Sequence, residues 1–175
     1  MSRQKRLQQH GVTLTELLVS LAVSAVLAVA AWPTIGALVA EQSASHAADR
    51  LAASLALARN TASARRTEVS LEPIHGAGTL DRGWQLTATG DTGGERTPPF
   101  SVVALHDRCL RITLRATAGA TQSLRLTPVG YSRSERGGFL AATFLVRCHQ
   151  AQRQVRLGAQ GRIRICRPGA DADCD

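Results

Sequence analysis

The chain has 175 residues and a formal net charge of +8, because 21 Lys and Arg residues outnumber 13 Asp and Glu residues. This length leaves room for one small globular domain beside a membrane segment and excludes a large multidomain protein. Lys5 is the single lysine, so nearly all of the positive charge is guanidinium, the group that pairs bidentately with phosphate. The sequence has no GxSxG or HExxH motif and no P-loop lysine, so we do not expect an enzyme.

Residues 17–40 form an uncharged, largely apolar run of 24 residues near the N-terminus. As a helix this run would span about 36 Å, which is long enough to cross a bilayer. Arg3, Lys5 and Arg6 precede it, and the positive-inside tendency keeps such an N-terminus in the cytoplasm. A cleavable secretory signal would have a shorter apolar run followed by a small-residue cleavage site. We therefore expect a single membrane pass, with the remaining chain exported.

The residues around the start of this run, GVTLTELLV at 11–19, resemble the class III signal of type IV pilins and pseudopilins. The resemblance implies that a prepilin peptidase cuts after Gly11 and methylates the new N-terminus at Val12, where the family usually has Phe. It also implies that Glu16 pairs with the N-terminal amine of a neighbouring subunit in the filament. Such a pair would offset the cost of a carboxylate in the apolar layer, about 2.5–3.5 kcal/mol. The alternative is a plain signal anchor in which Glu16 lies at the headgroup level.

Residues 41–66 continue as a predicted amphipathic helix. Leu51, Leu55 and Ala58 recur at helical intervals, and we expect this apolar stripe to pack on a sheet. Beyond the helix the pattern changes to short strands separated by turns, with the clearest loop at 90–99. The predicted strands are 68–72, 84–88, 101–105, 111–116, 123–127, 142–149, 153–157 and 161–166. A long helix followed by antiparallel strands predicts an α+β fold.

These elements divide the chain into three parts. Residues 1–11 are the predicted prepilin leader, and residues 12–40 are the membrane-spanning and assembly half of the N-terminal helix. Residues 41–175 are the exported globular domain, which includes the amphipathic second half of the helix.

Most of the chain beyond the membrane run resembles the FimT/GspH branch of minor pilins. The likeness rests on the order of helix and strands and on three individually weak motifs, LAASLALARNTASARRTEVSL at 51–71, Gly83-Trp84 and LRLTPVGY at 124–131. A sharper C-terminal motif is GRIR at 161–164. The resemblance implies the type IV pilin fold, a long N-terminal helix packed on a C-terminal antiparallel β-domain. In FimT proteins a glycine-arginine-x-arginine motif is linked to DNA binding during natural transformation, whereas the type II secretion relative GspH shares the fold without that role.

The C-terminal segment concentrates positive charge. Residues 136–170 contain no Asp or Glu but seven arginines, Arg136, Arg147, Arg153, Arg156, Arg162, Arg164 and Arg167. In an extended strand Arg162 and Arg164 leave one face about 6.6–6.8 Å apart, and Ile163 and Ile165 anchor the other face. Gly161 allows a sharp turn or a close approach to a phosphate. The alternative is an edge strand whose arginines block aggregation.

Contact with a duplex backbone fits this segment better than single-strand binding. No aromatic residue follows Phe144, and single-strand binders generally stack bases on aromatic side chains. Arginines without aromatics favour phosphate contacts with little sequence preference. An acidic tail, Asp171, Asp173 and Asp175, counts against a purely attractive surface. The candidate DNA-binding residues are Gly161, Arg162 and Arg164, with Arg153, Arg156 and Arg167 as helpers.

Four cysteines lie on the exported side, where disulfides persist. Three pairings are possible. We favour Cys166 with Cys174, which closes a short loop at the tail, and Cys109 with Cys148, which holds the sheet. A zinc site is the alternative, although the sequence has no CxxC spacing and His149 is the only histidine beside a cysteine. We expect no metal and no cofactor.

The sequence thus predicts a minor type IV pilin that binds extracellular double-stranded DNA for uptake in natural transformation. The alternative is a structural pseudopilin, like GspH, that helps to initiate a filament without touching DNA. The expected partners are duplex DNA, other major and minor pilins through the N-terminal helix, prepilin peptidase and the inner membrane. We expect the chain in the bacterial inner membrane with its C-terminus in the periplasm, and then in a pilus or pseudopilus.

Overall fold

A computed structural model describes residues 13–88, 98–116, 122–133, 138, 141–158 and 160–174. Within these ranges a long helix, α1 (Leu14–Arg65), precedes nine short strands. The predicted leader at 1–11 and most of the predicted loop at 90–99 lie outside the described residues.

The start of α1 is capped by a local motif. Thr13 Oγ1 accepts a hydrogen bond from the backbone N–H of Glu16 at 3.3 Å, and the Thr13 carbonyl accepts one from the N–H of Leu17 at 3.1 Å. Thr13 is therefore the N-cap residue, and Glu16 lies in the first turn, where the helix dipole favours a negative charge. Glu16 thus supports helix initiation, a role separate from filament assembly.

By length and composition, α1 is able to cross a membrane. The chain divides into two compact units, one up to Gly36 and the other from Ala37 onward. The second unit begins four residues before residue 41, where the sequence places the start of the globular domain. The three-part division of the chain stays a prediction.

The strands form two antiparallel sheets. The strands are β1 (Val69–Pro73), β2 (Gly83–Ala88), β3 (Ser101–Ala104), β4 (Leu110–Ala116), β5 (Leu124–Leu126), β6 (Ser132–Arg133), β7 (Ala142–Cys148), β8 (Ala151–Leu157) and β9 (Ile163–Cys166). The first sheet has the order β3-β2-β1-β5-β6, and the second has the order β4-β7-β8-β9. Eight of them agree with the predicted strands within two residues at each end, and the two-residue β6 is not predicted. This helix-and-sheet arrangement confirms the α+β fold.

An alanine-rich stripe of α1 forms the centre of the core. The stripe consists of Ala40, Ala44, Ala47, Ala48, Leu51, Leu55, Ala58 and Ala62, all buried. They belong to one core cluster with the inner faces of both sheets, including Trp84 of β2 and Phe144 of β7. Because alanine is short, α1 can lie close to the sheets, and the strands supply most of the large side chains. Alternate strand residues face this core, so the residues between them face outward.

Two disulfides reinforce the second sheet. Cys109 bonds to Cys148 at the end of β7, and Cys166 of β9 bonds to Cys174 in a C-terminal 3₁₀ turn, Ala172–Cys174. These are the pairings favoured from the sequence. The bonded cysteines are 39 and 8 residues apart, respectively. In the chain-entropy model the longer loop is worth about 4 kcal/mol and the shorter about 2.5 kcal/mol.

Candidate nucleic-acid interface

The GRIR motif lies at the free edge of the second sheet. Arg162 is exposed and directly precedes β9, whereas Arg164 is half-buried on β9. The turn between β8 and β9 is closed by the N–H of Gly158, which donates to the Arg162 carbonyl at 2.9 Å. The register places Arg164 opposite Arg156 of β8, so two guanidiniums leave one face from neighbouring strands about 5 Å apart.

The two isoleucines of this segment do not anchor β9 equally. Ile163 lies opposite Leu157 and packs against the core. Ile165 lies opposite the buried Val155 but is 42% exposed. The expectation that both isoleucines anchor the strand is therefore wrong for Ile165. Both isoleucines lie on the same face of this edge strand, so the difference between them arises from their positions along β9, where the core reaches Ile163 but not Ile165.

Gly161 is needed for a contact within the protein. It is buried and has a φ of +80°, and a Cβ at this position would lie 2.4 Å from the carbonyl oxygen of Gly130. Arg59 of α1 donates a hydrogen bond from Nη1 to the Gly161 carbonyl at 3.0 Å. The Gly161 backbone is thus buried against the β5–β6 turn, and its positive φ fits the sharp turn expected at this glycine.

Two of the predicted helper arginines bind a carboxylate of α1. Glu41 Oε1 accepts hydrogen bonds from Nη2 of Arg153 and from Nη2 of Arg167. The Arg153 side chain is only 13% exposed and the Arg167 side chain is 52% exposed. Arg153 lies on the inner face of β8, where its guanidinium is bound to Glu41 and largely shielded from solvent. Arg167 keeps part of its surface open.

Glu41 is held in its charged form by these two arginines. Burial by itself raises the pKa of Glu41. The hydrogen bond and charge of Arg153, together with those of Arg167, lower this pKa by more than burial raises it. The net result is a pKa below the ordinary glutamate value. This cluster ties the beginning of the globular unit to its C-terminal strands.

The Glu41 cluster was not predicted from the sequence. Its partners are 112 and 126 residues away from Glu41 in the chain, and no motif joins them. The one weak signal for a role of Glu41 is that it is the first charged residue after the apolar run. Three other predicted residues, Gly11, Val12 and Arg136, lie outside the described residues.

The side chains that an alternative zinc site would use lie around His149. A ring nitrogen of His149 and the sulfur atoms of Cys109 and Cys148 lie within 4.8 Å of one another. Both sulfur atoms are joined in a disulfide, and a disulfide offers no thiolate to a metal ion. The group therefore does not fit zinc while the bond is intact.

Comparisons with known proteins identify two matching families. Residues 47–170 match the family described as Type II transport protein GspH, and residues 6–32 match the prokaryotic N-terminal methylation motif. Among solved structures, the chain is similar to the type IV minor pilin FimU from Pseudomonas aeruginosa PAO1 in two crystal forms. One comparison gives 20% identity over 77% of this chain and 95% of FimU, with a TM-score of 0.54. The other gives 19% identity over 75% and 99%, with a TM-score of 0.51.

These matches differ in what they establish. No curated protein sequence matches the chain significantly, and at such low identity the FimU structures establish the fold alone. The GspH match covers most of the globular unit, and the methylation motif together with the apolar helix fits a pilin anchored in the inner membrane before assembly. Both families comprise pilin-like structural subunits, for which processing by prepilin peptidase and contacts with other pilins are implied. The chain therefore belongs to the GspH family and is a minor type IV pilin or pseudopilin.

Proposed function

We propose that this minor pilin binds extracellular double-stranded DNA, largely without sequence preference, for DNA uptake in natural transformation. The observation that carries the proposal is the exposed Arg162 at the β8–β9 turn, beside the cross-strand pair of Arg156 and Arg164. Guanidiniums at this spacing can contact successive phosphates of one strand, since each forms paired hydrogen bonds with phosphate oxygens. Arg153 and Gly161 act inside the protein instead, and they hold the edge of the sheet in place.

The test is a titration of the full chain, in a nonionic detergent, with random-sequence duplex DNA at several salt concentrations. Binding by phosphate contacts gives a slope of about −0.9 in log units for each phosphate neutralised. The double variant Arg162→Gln, Arg164→Gln should weaken the binding of all duplexes alike and lower the slope by about one for each lost contact. Unchanged affinity and slope in the folded variant would refute DNA binding by this strand.

A structural pseudopilin without DNA binding is the second candidate. It is favoured by the Glu41 cluster, in which Arg153 and Arg167 serve the packing of α1 on the second sheet, and by the GspH family match. In that case the purified wild-type chain would not shift duplex DNA at physiological salt, whereas deletion of the gene would still reduce filament number.

We also propose that Gly11 is the cleavage site and that Glu16 sets the register of assembly with the amine of Val12 in a neighbouring subunit. Glu16 is exposed on α1, which leaves its carboxylate accessible to a partner. Glu16→Val should insert into the membrane normally but enter sheared filaments at a reduced level. Glu16→Gln keeps a polar side chain at this position, so normal incorporation of this control would show that the charge is not needed.

A further inference from the structure

We propose that duplex DNA lies across the whole outer face of the second sheet, and not only along its β9 edge. We use the name basic face for five outward-facing arginines of this sheet, Arg111 and Arg115 of β4, Arg147 of β7, Arg156 of β8 and Arg164 of β9. The choice of duplex DNA as the ligand rests on the proposed function. The strands β4 and β7 are the addition to its binding surface.

Strand alternation places these arginines on one side of the sheet. On β4, Leu110 and Ile112 are buried, whereas Arg111 and Arg115 are exposed. On β7 the residues on either side of the exposed Arg147 are buried. The hydrogen-bonded register then fixes which outward residues of the four strands are neighbours. The basic face is therefore set by backbone geometry, which keeps the arginines on the side opposite to α1.

The register arranges the basic face in two rows. Arg115, Arg156 and Arg164 belong to a row that crosses all four strands, with a threonine of β7 as its fourth member. Arg111 and Arg147 lie opposite each other in the second row. With neighbouring strands about 4.8 Å apart, the first row is about 14 Å long. The rows are four residues apart along the strands, a distance of about 13 Å.

The outward positions between the two rows are neutral. They carry Thr113, Leu145 and Gln154, followed by the disulfide-bonded Cys166 at the edge. Among the described residues, Asp81 approaches the rim at β4, where its Oδ2 is 3.9 Å from Arg111 Nε, and Asp171 lies just beyond the end of β9, where its Oδ2 accepts a hydrogen bond from the backbone N–H of Arg167. The other Asp81 oxygen accepts a hydrogen bond from a β4 backbone N–H at 2.6 Å. The centre of the face therefore has no acid on the sheet to oppose a polyanion.

The chemistry of the basic face favours a duplex over other nucleic acids. Two rows of guanidiniums about 13 Å apart suit the two phosphate backbones that border the major groove, which is about 12 Å wide. The outward positions include no aromatic side chain, so the face has no platform on which to stack unpaired bases. The threonine and glutamine side chains between the rows can donate further hydrogen bonds to phosphates. We therefore assign the face to double-stranded DNA held through its backbone.

The test uses the full chain in nonionic detergent and the double variant Arg115→Gln, Arg147→Gln, which leaves GRIR intact. The matched control is Arg125→Gln, Arg133→Gln, because these arginines are an exposed cross-strand pair on the other sheet. The first variant should lower the salt slope for a random duplex by about 1.8 and its affinity by up to roughly 60-fold at about 0.1 M salt. The control should stay close to wild type. Gln154→Glu, which adds a negative charge between the rows, should also weaken binding if the double variant does not fold.

The possible results separate this inference from the proposed function. If Arg115→Gln, Arg147→Gln binds like wild type while Arg162→Gln, Arg164→Gln binds weakly, the basic face is not part of the site but the proposed function stands. If the wild type binds no duplex, or binds anionic phospholipid vesicles in its place, both are overturned. Equal loss in the Arg125→Gln, Arg133→Gln control would attribute the effect to total charge and overturn the basic face. A single strand of the same length bound as tightly as the duplex would overturn the two-row docking.

Discussion

On the inner face of the second sheet, Arg153 is 13% exposed and binds Glu41, whereas on the outer face Arg115 and Arg147 are exposed to solvent. Arg153 and Arg156 are only three residues apart on β8, yet they lie on opposite faces of the strand. An arginine on the inner face needs a carboxylate partner, since an unpaired buried charge is strongly unfavourable. On the outer face water solvates the charges of Arg115 and Arg147, which leaves these two guanidiniums available for a ligand. Arginine thus serves packing on one face and presents charge on the other.

The largest effect on stability is expected at Gly161, whose carbonyl accepts a hydrogen bond from Arg59 of α1. In Gly161→Ala, the new Cβ would overlap the Gly130 carbonyl and press on Arg59 Nε, 3.1 Å away. The left-handed φ alone costs roughly 1–3 kcal/mol for a non-glycine residue, and the overlap should add to that cost. Denaturant unfolding measures the loss.

Gly76→Ala is the matched control for this prediction. Gly76 has a similar φ of +84°, but among the described residues nothing lies within 4 Å of the position that a Cβ would take there. The difference between the two variants therefore isolates the contact between the β5–β6 and β8–β9 turns. Equal destabilisation would mean that these turns are free to separate, and that Arg59 does not fix the GRIR edge.

Some parts of this protein can be read from its sequence and others cannot. The stripe on α1 and eight strands follow from local periodicity, and the favoured cysteine pairing matches the two disulfides. β6 has two residues, too few for an alternation to be recognised. The Glu41 cluster and the contact of Gly161 with Gly130 depend on residues distant in the chain, so local patterns contain no signal for them. The exposure of Ile165 depends on how far the core extends along β9, which a local pattern does not specify.

A smaller effect is expected from breaking the Glu41 cluster. Glu41→Gln leaves Arg153 beneath α1 without its anionic partner, so unfolding should occur at a lower denaturant concentration at pH 7. Because the pKa of Glu41 is lowered in the folded chain, its stabilising effect is present above the unfolded-state pKa. That effect is lost as the pH falls through the lower, folded-state pKa. Part of the acid sensitivity of the wild type should therefore disappear in the variant.

Glu72→Gln provides the control for Glu41→Gln, because Glu72 is a half-buried residue of β1 that lies opposite Gln85 of β2. This control should retain the acid sensitivity of the wild type. If Glu41→Gln is as stable as wild type at pH 7 and loses stability equally on acidification, the inner arginines do not depend on their carboxylate. Inner and outer arginines would then not differ in how much a carboxylate partner contributes to the stability of the fold.

The smallest effect on stability is expected on the outer face. Arg115→Gln and Arg147→Gln remove charges that water already solvates, and surface substitutions of this kind usually change the free energy of unfolding by no more than about 0.5 kcal/mol. Arg153→Gln, measured beside them, should be clearly less stable because it leaves Glu41 with one arginine in place of two. A loss above about 1 kcal/mol in either outer variant would indicate that the basic face holds the sheet together. In that case weakened DNA binding by the same variants could not be assigned to phosphate contacts. A variant that keeps its stability but binds DNA more weakly would instead show that the outer arginines bind the ligand, whereas the inner arginines serve packing.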